Sequence, residues 1–352
     1  MSDGVKRVRQ LSPHSGWGNL LGRFLALIVV FTFFAIYVKS TGGDFCSARN
    51  LENILRQSCV YATAGIGMTM IIISAGIDLS AGSLIALSVV TVAHVMNLEV
   101  AGADGQTQSL AALHPTLTPL LAAGAGILIS TLAGLINGSL VVGLRLVPFI
   151  VTLGTMGMIR GLGKGIANER DIYPPEESWL NTVMDPVFTN PARSWQLLPT
   201  GVWMLLAGVL VASFILRYTR LGRHIFAVGS NEETARLCGV PVGRTKLFVY
   251  MAGGFFAGVA GLMQFSYISG VGQPTTAVMY ELFIIAAVII GGASFSGGEG
   301  SILGTIIGAL LITILYMGGQ QVGWPKWVQE MVIGGIIIVA VAIDRLRHRK
   351  LT

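Results

Sequence analysis

The residues of this chain that could carry chemistry are few and isolated. Asp78 stands in Gly76-Ile-Asp-Leu-Ser80, inside a forty-residue run, 58–97, that is otherwise nearly all apolar. An ionisable group in such surroundings is costly within a bilayer and marks a bundle interior or an aqueous path. Two uses compete for it. Its carboxylate can accept hydrogen bonds from backbone N–H groups freed where a helix breaks, capping the next helix. Alternatively it can face a translocation path or gate, with Gly76 and Ser80 beside it. One carboxylate without a buried partner would make a poor proton relay. Pro148 and Phe149 open another apolar segment, and Thr152 and Thr155 follow on one helical face, extended by Met156 and Arg160. Such hydroxyls can line a path for a hydroxylated solute, or bond back to their own helix and pack between neighbours. Glu281, after Gln273-Pro274 and Tyr280, can meet a soluble partner or stay hydrated.

Catalytic motifs are missing. An ATPase needs a glycine-rich loop ending in Gly-Lys-Ser/Thr to cradle phosphates and place magnesium. The nearest string, Gly161-Leu-Gly-Lys-Gly165, lacks that hydroxyl. His14, His94, His114, His224 and His348 form no His-Glu-x-x-His pair, and Cys46, Cys59 and Cys238 share no ligand spacing. Neither a metal site nor a disulfide framework is expected. No catalytic residue and no cofactor are predicted.

The elements that must position these residues have the composition of a membrane protein. Of 352 residues, 53% are hydrophobic and 11% charged, against about 25% charged in soluble domains, and mean hydropathy is +0.72. A bilayer core of about 30 Å takes roughly 20 apolar residues per helix. Ten segments meet or approach that length: 20–38, 58–74, 82–97, 118–142, 147–166, 200–216, 247–267, 279–291, 301–317 and 328–343. The third and eighth are short. The first is longer than a signal peptide's apolar core and lacks a cleavage site, so a retained helix is expected. The predicted fold class is therefore an all-α polytopic membrane protein with about ten transmembrane helices. Residues 1–19 form an N-terminal tail, 20–344 a single transmembrane domain and 345–352 a basic tail.

An even number of spans puts both termini on one side. Placing that side in the cytoplasm puts 15 of the 23 Lys and Arg inside, including Lys6, Arg7, Arg9, those of 217–246, and Arg345 to Lys350. The positive-inside rule favours this orientation, and the +6 net charge then reports topology rather than nucleic-acid binding. Glu169, Asp171, Glu176, Glu177 and Asp185 gather in the outer loop after the fifth segment.

The inner loop 217–246 is too long and too featured for a mere connector. Within Gly229-Ser-Asn-Glu-Glu-Thr-Ala-Arg-Leu-Cys-Gly239, Ser230 with Glu233 spells a capping box and Gly239 sits where a C-terminal glycine cap belongs. The implied helix has about two turns, too short to persist alone in water. It must lie on its own membrane domain or dock into a partner. Gly76-x-x-Leu79-Ser80-x-Gly82 also has a counterpart in Gly292-x-x-Phe295-Ser296-x-Gly298. Paired glycine interruptions in two halves of a transporter point to the transport path, although 46 glycines also allow such a match by chance.

The chain resembles the sugar-type permeases of bacterial ABC importers, the membrane subunits of ribose, arabinose and xylose systems. The resemblance covers nearly the whole length. It rests on Gly76-Ile-Asp-Leu-Ser-Ala-Gly-Ser83, Val147-Pro-Phe-Ile-Val-Thr-Leu-Gly154 with Arg160-Gly161, and Arg220-Leu-Gly-Arg223 leading into Gly229-Ser-Asn-Glu-Glu233 and Ala235-Arg-Leu-Cys-Gly239. Gly272-Gln-Pro274, Tyr280-Glu-Leu282 and Gly291-Gly-Ala-Ser-Phe-Ser-Gly-Gly298 complete it. The resemblance implies the ABC importer permease fold in the bacterial inner membrane. It implies a coupling helix of Asn231, Glu232, Glu233, Arg236 and Gly239 seated in a cytoplasmic ATPase subunit, a second permease subunit and a soluble solute-binding protein. Glu176, Glu177 and Glu281 are the candidate contacts for that binding protein. The implied solute is a pentose or hexose, with a nucleoside or autoinducer as alternative. An ion-coupled secondary transporter or channel is the rival class.

Overall fold

The computed structural model describes residues 14–101, 107–174, 178–190, 193 and 195–349. Thirteen α-helices are found among them. In order they are α1 His14–Ser40, α2 Ala48–Ile73, α3 Ala81–Met96, α4 Leu110–Leu113, α5 Leu117–Gly143, α6 Pro148–Ile166, α7 Thr200–Tyr218, α8 Arg220–Ser230, α9 Glu232–Leu237, α10 Val242–Tyr267, α11 Tyr280–Ile290, α12 Ile302–Gln321 and α13 Lys326–Arg349. A 3-10 turn at Trp179–Thr182 and an antiparallel ribbon complete the described elements. In the ribbon, β1 (Glu99–Ala101) pairs with β2 (Thr107–Ser109), Glu99 opposite Ser109.

Each of the ten apolar segments coincides with one of these helices. Five helical stretches, Leu21–Ser40, Leu117–Gly143, Thr200–Tyr218, Val242–Tyr267 and Ile302–Gln321, are long and apolar enough to cross a membrane. α3 and α11 are short, with 16 and 11 residues. At 1.5 Å per residue α11 reaches about 16 Å, roughly half a bilayer core. Residues 271–279, which approach it without helical structure, include left-handed Ala277 and Met279 (φ +55° and +69°).

Some helices run well past their apolar segments. α2 starts at Ala48, ten residues before the apolar run, behind Ser47, whose hydroxyl accepts from the Asn50 N–H. Its polar first turns are buried nonetheless: Asn50, Glu52 and Gln57 are 5%, 1% and 4% exposed. Glu52 is met by the loop at Val187 to Thr189, Asn50 by the Phe45 carbonyl and Gln321, and Gln57 by the Tyr280 hydroxyl, and most of these partners are far off in sequence.

α2, α3 and α10 form the centre of the bundle, and α1, α5, α6 and α7 surround them. The central helices are buried almost all round, with Cys59, Tyr61, Ile66, Leu84, Val249 and Phe265 at 0% exposure. The outer helices turn Leu25, Leu128, Ile150, Leu210 and Phe214 outward, as helices facing lipid do. α5 and α10 cross where both carry glycine: a Cβ on Gly134 would meet Gly254, and one on Gly254 would meet the Ser130 carbonyl. Close crossings on small residues are the normal contact where lipid removes the hydrophobic drive between helices.

Candidate functional site

Two groups of the predicted residues assemble at one end of the bundle. The first is the turn between α2 and α3. α2 ends at Ile73, Ala75 takes a left-handed φ of +60°, and α3 begins at Ala81. Asp78 is 2% exposed. Its Oδ1 accepts hydrogen bonds from the Ser80 N–H (2.8 Å) and the Ser80 hydroxyl (2.5 Å). The Ser80 oxygen in turn accepts from Asn137 Nδ2 of α5 at 2.8 Å. Thr152 of α6, at 0% exposure, accepts from the Leu79 N–H at 3.2 Å, and its hydroxyl lies within hydrogen-bond range of the Ile77 (3.2 Å) and Pro148 (3.1 Å) carbonyls. Tyr250 of α10 sets its hydroxyl against Gly76.

Asp78 thus serves the broken backbone, and side chains of three helices, Asn137 of α5, Thr152 of α6 and Tyr250 of α10, close on the same turn. Gly76, Asp78, Ser80 and Thr152 are brought together. Thr155, 7% exposed, lies one turn further along α6 and donates to the Thr152 carbonyl at 3.3 Å. Phe149 is 45% exposed on the outside of α6, and Ser296 is exposed in a separate loop between α11 and α12.

The second group occupies 217–246, which is mostly helical rather than loop. Thr219 caps α8 by accepting from the Gly222 N–H at 3.1 Å. α9 starts one residue later than the expected capping box. Ser230 is the last residue of α8, and its hydroxyl donates to the Phe226 carbonyl at 2.9 Å. Asn231, with extended backbone, is the N-cap, its Oδ1 accepting from the Thr234 N–H at 2.8 Å. The expected Ser230–Glu233 pair is corrected to this Asn231 cap, because a residue inside α8 cannot adopt the extended N-cap conformation. The other end is as the sequence predicts. Gly239 (φ +81°) donates to the Arg236 carbonyl and Val240 to the Ala235 carbonyl, both at 3.0 Å, the two bonds of a Schellman stop.

This two-turn helix is held down on one side only. Ala235 packs with Val228 and Val242, and Glu232 pairs with Lys246 of α10 at 2.5 Å and with Arg236 at 3.1 Å. The other side presents Glu233 and Leu237, the latter 84% exposed. Leu237 was not singled out from the sequence. An exposed leucine on a helix pinned from behind is the signal that finds it.

α8 connects the two groups. The position a Cβ would take on Gly229 is filled by the Ile73 carbonyl, at the end of α2, and the Gly298 N–H donates to that same carbonyl at 2.8 Å. The end of α2 and the 292–298 loop therefore meet, but the glycine strings at 76–82 and 292–298 are not equivalent structures. Gly292, Gly297 and Gly298 all have positive φ, whereas Ala75 alone does so in the first turn. α3 begins directly after Ser80, while α12 waits for a Ser301 cap.

Three charged residues, Glu52 buried and Arg160 and Glu281 half-buried, are placed by the fold in ways the sequence does not announce. Arg160 of α6 donates to the Thr276 carbonyl at 2.6 Å and to those of Pro274 and Ala277 at 3.4 Å, holding the irregular segment before α11. Glu281, expected at an outer surface, buries Oε2 against Gly82 of α3, so that carboxylate faces the bundle instead of a docking partner. Its position follows from the inward course of 271–279, which the sequence did not reveal. Glu52 of α2 accepts from the Val187 and Phe188 N–H groups and the Thr189 hydroxyl, pinning the segment between α6 and α7 to the bundle. Glu176 and Glu177 lie outside the described residues. Among the described residues no His, Cys, Asp and Glu cluster could hold a metal ion.

The helical bundle with a two-turn helix held on its rim is that of a transporter's membrane subunit, a class shown by its similarity to known permeases. The chain belongs to the family described as "Branched-chain amino acid transport system / permease component", whose model matches residues 50–341. Among curated proteins it is similar to the ribose import permease protein of Escherichia coli K12, 33% identical over 92% of this chain and 94% of the relative. The Haemophilus influenzae ribose import permease protein is 35% identical over 91% of each chain, and the Salmonella typhimurium galactose/methyl galactoside import permease protein 33% over 87% and 89%. No solved structure matches the chain.

Proposed function

We propose that the chain is the membrane-spanning subunit of an ATP-binding-cassette importer that carries a monosaccharide, a pentose or hexose, across the bacterial inner membrane. Relatives named for ribose, D-allose and galactose import support the solute class. Ten crossings with both termini in the cytoplasm fit the ten helical apolar segments and the distribution of Lys and Arg, with 271–279 completing the crossing that α11 begins. In this reading residues 20–344 are one transmembrane domain between the two tails, and a second permease subunit completes the pathway. A soluble binding protein delivers solute to the outer face, where Glu176 and Glu177 are docking contacts. ATP hydrolysis takes place in a partner subunit.

The observation that carries the reading is α9: a two-turn helix fixed by Ala235, Glu232 and Lys246, offering Glu233 and Leu237 outward and backed through Gly229 against the end of α2. When the ATPases close, they move α9, and α8 passes the movement to the Asp78 turn. An ion-coupled carrier would need several charges free to bind its ion, whereas Asp78 and Arg160 are committed to Ser80 and to backbone carbonyls, and Glu281, with its buried Oε2 unpaired, is a single carboxylate.

The test is reconstitution in liposomes with the ATPase and binding protein. Uptake should require ATP and all three components. Replacing Glu233 and Leu237 together by alanine should abolish solute-stimulated ATP hydrolysis while the chain elutes as folded protein. Uptake by the chain alone on an ion gradient refutes the proposal.

A further inference from the structure

A pocket of about 340 Å³ opens between the end of α5, the turn into α6, α9 and the start of α10. It is large enough for the polar end of a small molecule. Three cations line it, Arg145, Arg236 and Lys246, with one carboxylate, Glu232. Glu232 is shared between two of them: its Oε1 accepts from Arg236 at 3.1 Å and its Oε2 from Lys246 at 2.5 Å. Arg145 has no ion-pair or hydrogen-bond partner among the described residues. Two positive charges of the pocket are therefore uncompensated, which suits a ligand carrying a phosphate.

Arg145 holds its place at a cost. Its backbone is left-handed, φ +54°, in a region where a Cβ is crowded and glycine is favoured. The turn that carries it is otherwise apolar and uncovered. Leu144, Leu146 and Val147 are 61%, 45% and 59% exposed, and Phe149 and Ile150 continue the same surface onto α6. α5 is long and apolar enough to cross a membrane, and it ends at Gly143. The turn therefore lies where acyl chains give way to headgroups, and a cation set among exposed leucines at that depth reaches into the headgroup layer. A soluble anion, or the acidic face of a water-soluble partner, would answer the charges and leave those leucines uncovered. An anionic phospholipid answers both. Phosphatidylcholine carries a cation of its own beside the phosphate and suits the pocket less well.

We propose that this pocket binds the headgroup of an anionic phospholipid, with its phosphate among Arg145, Arg236 and Lys246 and its acyl chains along the outward face of α6. A phosphate held there ties the α5–α6 turn to α9, which Ala235 and Glu232 fasten from behind. The site goes beyond the importer reading. It needs the membrane placement of α5 and α6, and neither the solute nor the driving force.

The experiment uses the full chain, delipidated in detergent and titrated with dioleoyl phosphatidylglycerol or dioleoyl phosphatidylcholine, with bound lipid counted by native mass spectrometry. Arg145→Gly removes the cation and suits the left-handed backbone, so the variant should fold as the wild type does. It should weaken the tightest phosphatidylglycerol binding about fivefold, the contribution of one basic residue, and leave phosphatidylcholine binding unchanged. Arg145→Lys should restore most of the loss. A second measurement needs no variant. In nanodiscs, hydrogen exchange over 143–147 and 232–237 should be slower in phosphatidylglycerol than in phosphatidylcholine. Equal affinity of the wild type for the two lipids, wild-type phosphatidylglycerol binding in Arg145→Gly, or exchange indifferent to the lipid overturns the proposal. Displacement of the bound lipid by millimolar glycerol phosphate also overturns it, by making the pocket a soluble-phosphate site. Loss of ATPase-subunit binding in Arg145→Gly with phosphatidylglycerol binding intact does so as well, by making it a protein contact.

Discussion

A buried carboxylate persists only where donors meet its oxygens, and Asp78 and Glu52 meet theirs in different ways. Asp78 is satisfied within two residues of itself, by the N–H and hydroxyl of Ser80. That short range is why its capping use was one of the two readings open from Gly-Ile-Asp-Leu-Ser. Asp78→Asn keeps an oxygen for the Ser80 N–H and should retain both thermal stability in detergent and transport. Asp78→Ala strands that N–H and should cost about 1–3 kcal/mol. Wild-type stability with lost transport in Asp78→Asn would instead assign the charge to the transport path. Glu52 is satisfied by residues 135 to 137 positions away, Val187 to Thr189, and nothing near it in sequence marks it. Glu52→Ala abandons two backbone donors, again about 1–3 kcal/mol each. Limited proteolysis should then cut the segment between α6 and α7 near 185–199 faster than in the wild type, and unchanged cleavage would mean that other contacts hold it.

At the scale of elements, α9 shows how a helix too short to stand alone is kept. Its termination at Gly239 is local chemistry, a glycine in the left-handed region, and was legible in the sequence. Its beginning was not, because α8 continues through Ser230 only where Gly229 can press on the Ile73 carbonyl, a contact made across 156 positions. Gly239→Ala forces a Cβ into left-handed backbone at about 1 kcal/mol. It should raise hydrogen exchange over 235–240 without lowering global stability. Gly229→Ala should be more severe, since its Cβ and the end of α2 cannot share the same space. The variant should either lose stability or separate α8 from α2, read as uncoupled ATP hydrolysis at undiminished rate. Full coupling and stability in that variant would show that the contact is not the transmitting one.

For the whole molecule, the native cysteines report topology directly. Cys46 and Cys238 are both exposed, the first between α1 and α2 and the second just after α9, while Cys59 is buried. In intact cells a membrane-impermeant maleimide should label Cys46 and spare Cys238, and the reverse pattern would invert the proposed orientation. The sequence by itself determined the lipid environment, the ten helical segments and the two-turn helix ending at Gly239. Apolar length, charge bias and end caps act over a few neighbouring residues, so they can be read along a line. Only the tertiary structure decided that Arg160 holds the segment before α11, that Glu281 turns inward against Gly82 and that Glu52 fastens the segment between α6 and α7. It also placed Arg145, Arg236 and Lys246 around one pocket. In a bundle the partner of a buried polar group is chosen by which helices happen to adjoin it, and that adjacency is fixed by packing across the chain.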